Sequence, residues 1–122
     1  IATVHASSKT VCQGLIEKTI TAIREKDNVS PIQGLLGPCI HPENYEYDGK
    51  HLEEMVMILG AHVRGTTLNG MPAFDLPAAI KFECEKFGVS FNDLDIDTFS
   101  NENYFSYRRD GITGRQCVIA WI

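Results

Sequence analysis

Short apolar runs rich in β-branched residues alternate with amphipathic helical segments, and this alternation constrains the fold more than any other feature. The run Ile1–His5 predicts a buried strand, and Pro31–Gly37 predicts the next one. Between them, apolar residues recur on one side of a helix predicted over Val11–Lys26. Strands alternating with helices indicate an α/β fold, which we expect to be a mixed-sheet sandwich with helices.

Two aspartates predict the starts of further helices. Asp48 is suited to cap a helix that reaches Leu59, and Asp75 a helix that stops at Gly88. Met71–Phe74 predicts a short extended piece between them. The end of the chain alternates like two strands, Tyr104–Tyr107 and Gln116–Ile122, with Asp110-Gly111 and Thr113-Gly114 in the turn.

Length and charge narrow the class of protein. The 122 residues, 43% of them apolar, predict a single domain over 1–122 with its own core. The net charge of −5 argues against nucleic-acid partners, and no apolar run is long enough to predict a membrane span. The chain starts at Ile1 without a methionine or a leader pattern, so we expect a processed protein or a fragment.

The four cysteines indicate free thiols. Cys12, Cys39, Cys84 and Cys117 are widely and irregularly spaced, without a C-x-x-C pair that would predict a closed zinc knuckle. Three of them lie in apolar stretches, where a buried thiol is the ordinary interpretation. We therefore expect no disulfides and a cytoplasmic location.

Two groups at the start of the chain could carry chemistry. His5 ends the first predicted strand, where α/β sheets place ligands, and its imidazole could bind zinc or simply hydrogen-bond a loop. The turn that follows contains two serines, a lysine and a threonine, which could hold an anion such as phosphate. The alternative is helix capping by Ser8 or Thr10. The candidate anion-binding residues are Ser7, Ser8, Lys9 and Thr10.

Three arginines surround the last predicted turn. Arg108, Arg109 and Arg115 repel one another unless a negative group lies nearby. That group could be Asp110 or another carboxylate in a structural ion-pair network, or a substrate phosphate. Both interpretations stay open from the sequence. The other histidines, His41, His51 and His62, are not expected to be ligands.

Three segments resemble the YfiH, or laccase-domain, family. Residues 104–115, Y-F-S-Y-R-R-D-G-I-T-G-R, are similar to the family's ending F-F-S-Y-R-R-D-G-x-T-G-R. Residues 1–17 resemble the family's strand–H-A-G-W-R-G–helix segment, and residues 36–46 resemble L-G-P-x-I-x-P-x-x-Y-E. The Phe74-Asp75-Leu76 stretch is similar to the D-L that opens a later family helix. The resemblance runs through the whole chain and corresponds to the C-terminal half of a family member.

The resemblance implies a zinc-dependent purine nucleoside phosphorylase. Members cleave adenosine, inosine and methylthioadenosine with phosphate and can deaminate adenosine, so purine nucleoside and phosphate are the implied partners. Two histidines and one cysteine hold the zinc, and His5 matches one of the histidines. The other two ligands come from the N-terminal half, so a second chain or that half would complete the site.

This sequence departs from the family pattern at two places. Ser7–Thr10 replaces G-W-R-G, and Asp97 stands where the family usually has a cysteine. With the incomplete ligand set, these changes favour a first alternative, a catalytically silent fragment or binding module. A second alternative is copper-dependent polyphenol oxidation, the older interpretation of the family. It is weaker because the chain has no histidine-rich copper cluster.

Overall fold

The computed structural model describes residues 1–121, which form helices interspersed with short strands. No helix within this range is long and apolar enough to cross a membrane. Two 3-10 turns, Pro42–Asn44 and Ala61–Val63, lie between the longer elements. The helices are α1 (Ser8–Cys12), α2 (Leu15–Arg24), α3 (Gly49–Leu59), α4 (Leu76–Lys86) and α5 (Tyr107–Asp110), and the strands are β1 (Gln33–Leu36), β2 (Arg64–Thr66), β3 (Pro72–Phe74) and β4 (Ser90–Asp93).

The strands form one parallel and one antiparallel pair. β1 pairs in parallel with β4, Gln33 opposite Ser90, and a Cys39–Asp97 bridge continues the pairing. β2 pairs antiparallel with β3, and a bridge between Glu46 and Ala73 adds the segment before α3 to that sheet. Mixed strand pairing among helices confirms the predicted α/β class.

The core is one cluster of apolar side chains around α4. Helix α4 packs against α1, α2 and β4, and Phe74, the last residue of β3, is fully buried. A core of this kind supplies the main stabilising term in a small domain. Its buried members are Val11, Ile16, Ile20, Leu52, Leu59, Val63, Phe74, Leu76, Ala79, Ile80, Cys84 and Val89.

The predicted caps of α3 and α4 are confirmed. The Asp48 carboxylate accepts a hydrogen bond from the His51 N–H at 3.2 Å, and Asp75 accepts one from the Ala78 N–H at 2.8 Å. The single helix predicted over Val11–Lys26 was wrong. Gly14 has φ 77°, a left-handed conformation that glycine adopts without steric cost, and it separates α1 from α2.

The strands predicted at the two chain ends were also wrong. Ile1–His5 is exposed and unpaired, and residues 112–121 form no strand; Ile122 lies outside the described residues. Tyr107 begins α5 because the Ser106 hydroxyl caps it, accepting from the Arg109 N–H. Alternation predicts a strand only where another strand lies alongside, and neither end has such a neighbour within residues 1–121.

Candidate functional site

Residues Ser7–Thr10, the turn before α1 together with the first residues of that helix, are held by their own hydroxyl groups. Ser7 is the N-cap, and its Oγ accepts from the Thr10 N–H at 3.2 Å. In return, the Ser7 N–H donates to Thr10 Oγ1 at 2.8 Å, which completes a capping box. The capping alternative is therefore realised, with Ser7 as the cap in place of Ser8 or Thr10. Lys9 extends from this turn into solvent.

The Ser8 side chain points inward and meets two tyrosines. Its Oγ lies 2.5 Å from Tyr47 Oη, and Tyr47 donates to Tyr45 Oη at 3.3 Å. Burial raises the pKa of Tyr47 to about 12, so its hydroxyl stays protonated. Because Tyr47 donates to Tyr45, Ser8 must be the donor in its own bond to Tyr47. The Ser8 hydroxyl proton is thus already used within the protein.

Arg108 lies at the other end of this hydroxyl chain. Its guanidinium carbon is 5.1 Å from the centroid of the Tyr45 ring, a cation–π contact. Its Nη1 donates to the Glu46 carbonyl at 2.9 Å. Arg108 is otherwise exposed, and within residues 1–121 its other donors have no hydrogen-bond partner, which leaves them for a ligand. The structure therefore links the turn at Ser8 to Arg108, two regions 100 residues apart in the sequence.

Arg109 has a structural set of partners. Its Nη1 donates to the carbonyls of Thr98 and Phe99 at 3.1 and 3.0 Å, and its Nη2 donates to the Tyr104 carbonyl at 2.9 Å. Its Nε and Nη2 also form a bidentate pair with Asp110, which lowers the pKa of that carboxyl. Arg109 thereby fixes the loop before α5.

The third arginine does not join this cluster. Arg115 is exposed, and its Nη1 donates to the nearby carbonyls of Thr113 and Gly114 at 3.1 and 2.8 Å. No carboxylate lies in salt-bridge range of Arg115 among the described residues. The three arginines that were grouped by sequence thus occupy three different environments. Of these, the environment of Arg108 is the one linked to the turn before α1.

His5 stands at the end of an exposed segment. Its carbonyl accepts from Thr10 Oγ1 at 3.4 Å, and its side chain lies on the surface. Within residues 1–121, no three His, Cys, Asp or Glu side chains are grouped so that they could hold a metal ion. A catalytic zinc needs three protein ligands. The described residues therefore do not fit a zinc site on their own, and His5 offers one donor toward it.

Asp97, which departs from the family pattern, organises a loop. Its carboxylate accepts from the main-chain N–H groups of His41, Phe99 and Ser100 at 3.1–3.2 Å. It also accepts from the Ser100 hydroxyl and the Asn44 amide, both at 2.7 Å. Burial alone would raise the pKa of Asp97, but these hydrogen bonds outweigh it and lower the pKa.

Sequence reasoning missed the role of Tyr47. Tyr45 and Tyr47 flank Glu46, which forms a β-bridge with Ala73, and both rings pack against Phe74. Their spacing of two residues was a usable signal for a shared environment. The contact of Tyr47 with Ser8 depends on tertiary packing and carries no local signature.

Comparisons with known proteins agree with the resemblance. A family model described as multi-copper polyphenol oxidoreductase laccase matches residues 1–122. The chain is 32% identical over 124 residues to a purine nucleoside phosphorylase of Corynebacterium glutamicum, covering 100% of this chain and 50% of that protein. It is 29% identical over 126 residues to purine nucleoside phosphorylase YfiH of Escherichia coli, covering 100% of this chain and 51% of that protein.

A Mycobacterium tuberculosis purine nucleoside phosphorylase gives a similar result. Identity is 32% over 123 residues, or 99% of this chain and 49% of that protein. The chain thus spans about half the length of the curated relatives it matches. No solved structure gives a significant match. Because the family model covers the whole sequence, this chain belongs to the multi-copper polyphenol oxidoreductase laccase, or YfiH, family.

Proposed function

We propose that this chain is the C-terminal half of a purine nucleoside phosphorylase-type enzyme. The observation that carries the proposal is the match of the entire chain to relatives named purine nucleoside phosphorylase. The substrates would be adenosine, inosine or methylthioadenosine with phosphate, and adenosine deamination would be a side activity. We place the enzyme in the cytoplasm.

In this proposal, the surface that joins the turn before α1 to Arg108 receives the phosphate. Lys9 and Arg108 are exposed cations, and Arg115 is a third exposed cation, on the closing segment, whose contacts within residues 1–121 are to the carbonyls of Thr113 and Gly114. Ser7, Ser8, Thr10 and Arg109 support the site indirectly, because their side-chain donors serve the fold. Lysine would act as a point charge and arginine as a planar fork.

The chemistry assigned to these residues is electrostatic. Phosphorolysis breaks the glycosidic bond at the anomeric carbon and forms a bond from that carbon to an oxygen of hydrogen phosphate, while the purine leaves and takes up the proton that the hydrogen phosphate loses. Cations that hold the phosphate dianion beside the sugar stabilise the charge arrangement of the transition state. They also hold the phosphate in position for attack on the sugar, which lowers the entropic cost of bringing the two reactants together.

His5 is the one residue of this chain that we propose as a zinc ligand. The remaining ligands would come from the other half of a family-length protein, which would also cover the exposed segments at both chain ends. Copper is the less favoured metal. It is supported by the description of the matching family as multi-copper polyphenol oxidoreductase laccase. The silent-fragment alternative is supported by the lack of a three-ligand group within residues 1–121.

The decisive experiment is a chimera in which this chain replaces the matching half of the Corynebacterium relative. We expect the purified chimera to release hypoxanthine from inosine only when phosphate is present. His5→Ala should abolish turnover, and His51→Ala, which alters another exposed histidine, should leave it unchanged. A folded chimera without turnover would favour the silent module, and copper-dependent phenol oxidation without phosphorolysis would favour the laccase alternative.

A further inference from the structure

We propose that Tyr45 and Tyr47 are positioning residues that couple the turn before α1 to Arg108. This inference rests on the proposed function only for its phosphate measurement, since the coupling itself is a property of the unliganded chain. Neither tyrosine would touch the reacting atoms. Their role would be to fix the separation between Lys9 on the turn and the Arg108 guanidinium.

The first step of the argument is the bond between Ser8 and Tyr47. Ser8 is buried, and the hydroxyl of Tyr47 is the side-chain partner that it meets there. Because Ser8 is the first residue of α1, this bond ties the start of the helix to the segment before α3. The position of Lys9, the next residue, depends on it.

The second step is the support of Arg108 by the same segment. The Tyr45 ring faces the guanidinium at 5.1 Å, and the Glu46 carbonyl accepts from it at 2.9 Å. Tyr45 and Tyr47 contact each other edge to face, with ring centroids 5.0 Å apart. Tyr45 and Glu46 therefore contact Arg108, and Tyr47 contacts Ser8, the residue next to Lys9.

The third step is the rigidity of this segment. Both tyrosine rings pack against Phe74, with centroid separations of 6.3 and 5.8 Å, and Phe74 is fully buried. The Tyr47 N–H donates to the Pro72 carbonyl at 2.9 Å, and the Phe74 N–H donates to the Tyr45 carbonyl at 3.2 Å. An anchored segment transmits a displacement from one end to the other instead of absorbing it.

The coupling is tested first without ligand, by two-dimensional NMR of the full chain. Tyr47→Phe keeps the ring and removes the hydroxyl. We expect it to shift both the Lys9 amide resonance and the Arg108 Nε–Hε resonance. Tyr107→Phe is the matched control, since Tyr107 is 71% exposed and adjoins Arg108, and it should leave the Lys9 amide in place. If the Arg108 Nε–Hε resonance keeps its wild-type position in Tyr47→Phe, the proposal is overturned.

The second test measures the affinity for inorganic phosphate by titration calorimetry. Loss of the Tyr47 hydroxyl should weaken binding by about threefold to tenfold, the range of one net hydrogen bond. The effects of Ser8→Ala and Tyr47→Phe should not add in the double variant, because both break the same link. A purely structural tyrosine would change the melting temperature and leave the affinity per folded molecule unaltered, which would contradict the proposal.

The two proposals fail in different ways. If wild-type chain binds no phosphate while the Lys9 and Arg108 resonances move together in Tyr47→Phe, the coupling stands and the assigned phosphate site is wrong. If phosphate binds and displaces the Lys9 and Arg108 resonances, but Tyr47→Phe alters neither resonance nor affinity, the site stands and the positioning role is wrong.

Discussion

The centre of the molecule and its two ends contain similar residues but differ in structure. Around α4, apolar side chains such as Phe74 and Val63 are fully buried. At the ends, Ile1, Ile119 and Trp121 are 75%, 73% and 81% exposed. Apolar, β-branched composition is therefore not enough to form a strand. A strand needs a neighbour that accepts its main-chain hydrogen bonds and covers its side chains.

This difference bears directly on the candidate site. The turn before α1 and Arg108 are linked through two half-buried tyrosines that pack against the core, whereas His5 belongs to an exposed end. The proposed phosphate surface is thus largely built by this chain. The proposed metal ligand would be fixed only when another part of a family-length protein covers the end.

The largest effect that separates the two regions is expected at Phe74. Phe74→Ala removes a fully buried ring that supports Tyr45 and Tyr47, so the free energy of unfolding should fall by about 3–5 kcal/mol. Ile119→Ala at the exposed end should change it by no more than about 0.5 kcal/mol. Urea denaturation followed by circular dichroism measures both. If both substitutions lowered the free energy of unfolding equally, the centre and the ends would not differ in their contribution to stability.

A smaller effect is expected at Asp97, whose bridge with Cys39 continues the pairing of β1 with β4. Asp97→Ala leaves the N–H groups of His41, Phe99 and Ser100 without their acceptor and should cost about 2 kcal/mol. Asp97→Asn keeps one acceptor oxygen and should cost less. If both variants denature like the wild type, the loop does not depend on this carboxylate.

The pH dependence of the free energy of unfolding is a further test of the role of Asp97. Its pKa is lowered in the folded state, so its stabilising contribution is complete above the unfolded value of about 3.9 and is lost as pH falls through the lower folded pKa. The difference in unfolding free energy between wild type and Asp97→Asn should therefore shrink below about pH 4. Denaturation series at several pH values test this. A constant difference would contradict the assigned hydrogen bonds.

The smallest effect is expected where α1 meets α2. Gly14→Ala forces a side chain into a left-handed conformation and should cost about 1 kcal/mol. Gly49→Ala, at the first position of α3 with open space around the added methyl, should be neutral or stabilise by up to about 1 kcal/mol. Thermal melting compares the pair. Opposite signs would support the helix break at Gly14, and a stabilising Gly14→Ala would refute it.

Local signals in the sequence predicted the elements that local physics controls. The caps Asp48 and Asp75 determine where α3 and α4 start, because a carboxylate one residue before a helix satisfies its free N–H groups. The strand predicted over Pro31–Gly37 is found at Gln33–Leu36. Strands β2 and β4 were missed, since their three or four residues show no clear alternation and form through pairing with distant partners.

The candidate site was predictable in its parts but not in its assembly. The residues Ser8 and Arg108 were identified from the sequence, whereas their connection through Tyr47 and Tyr45 depends on contacts between residues far apart in the chain. The break at Gly14 was missed because a glycine within an amphipathic pattern is compatible with a continuous helix. His5 was assigned to a strand whose partner is not among the described residues.

Amide hydrogen exchange of the 122-residue chain tests the central claim, that its order resides in the centre and not at the ends, most directly. The account predicts that the amides of Ala2–His5 and Cys117–Trp121 exchange at nearly unprotected rates, while those of α4 exchange only through global unfolding. Protection of both end segments equal to that of α4, in the chain by itself, would contradict it.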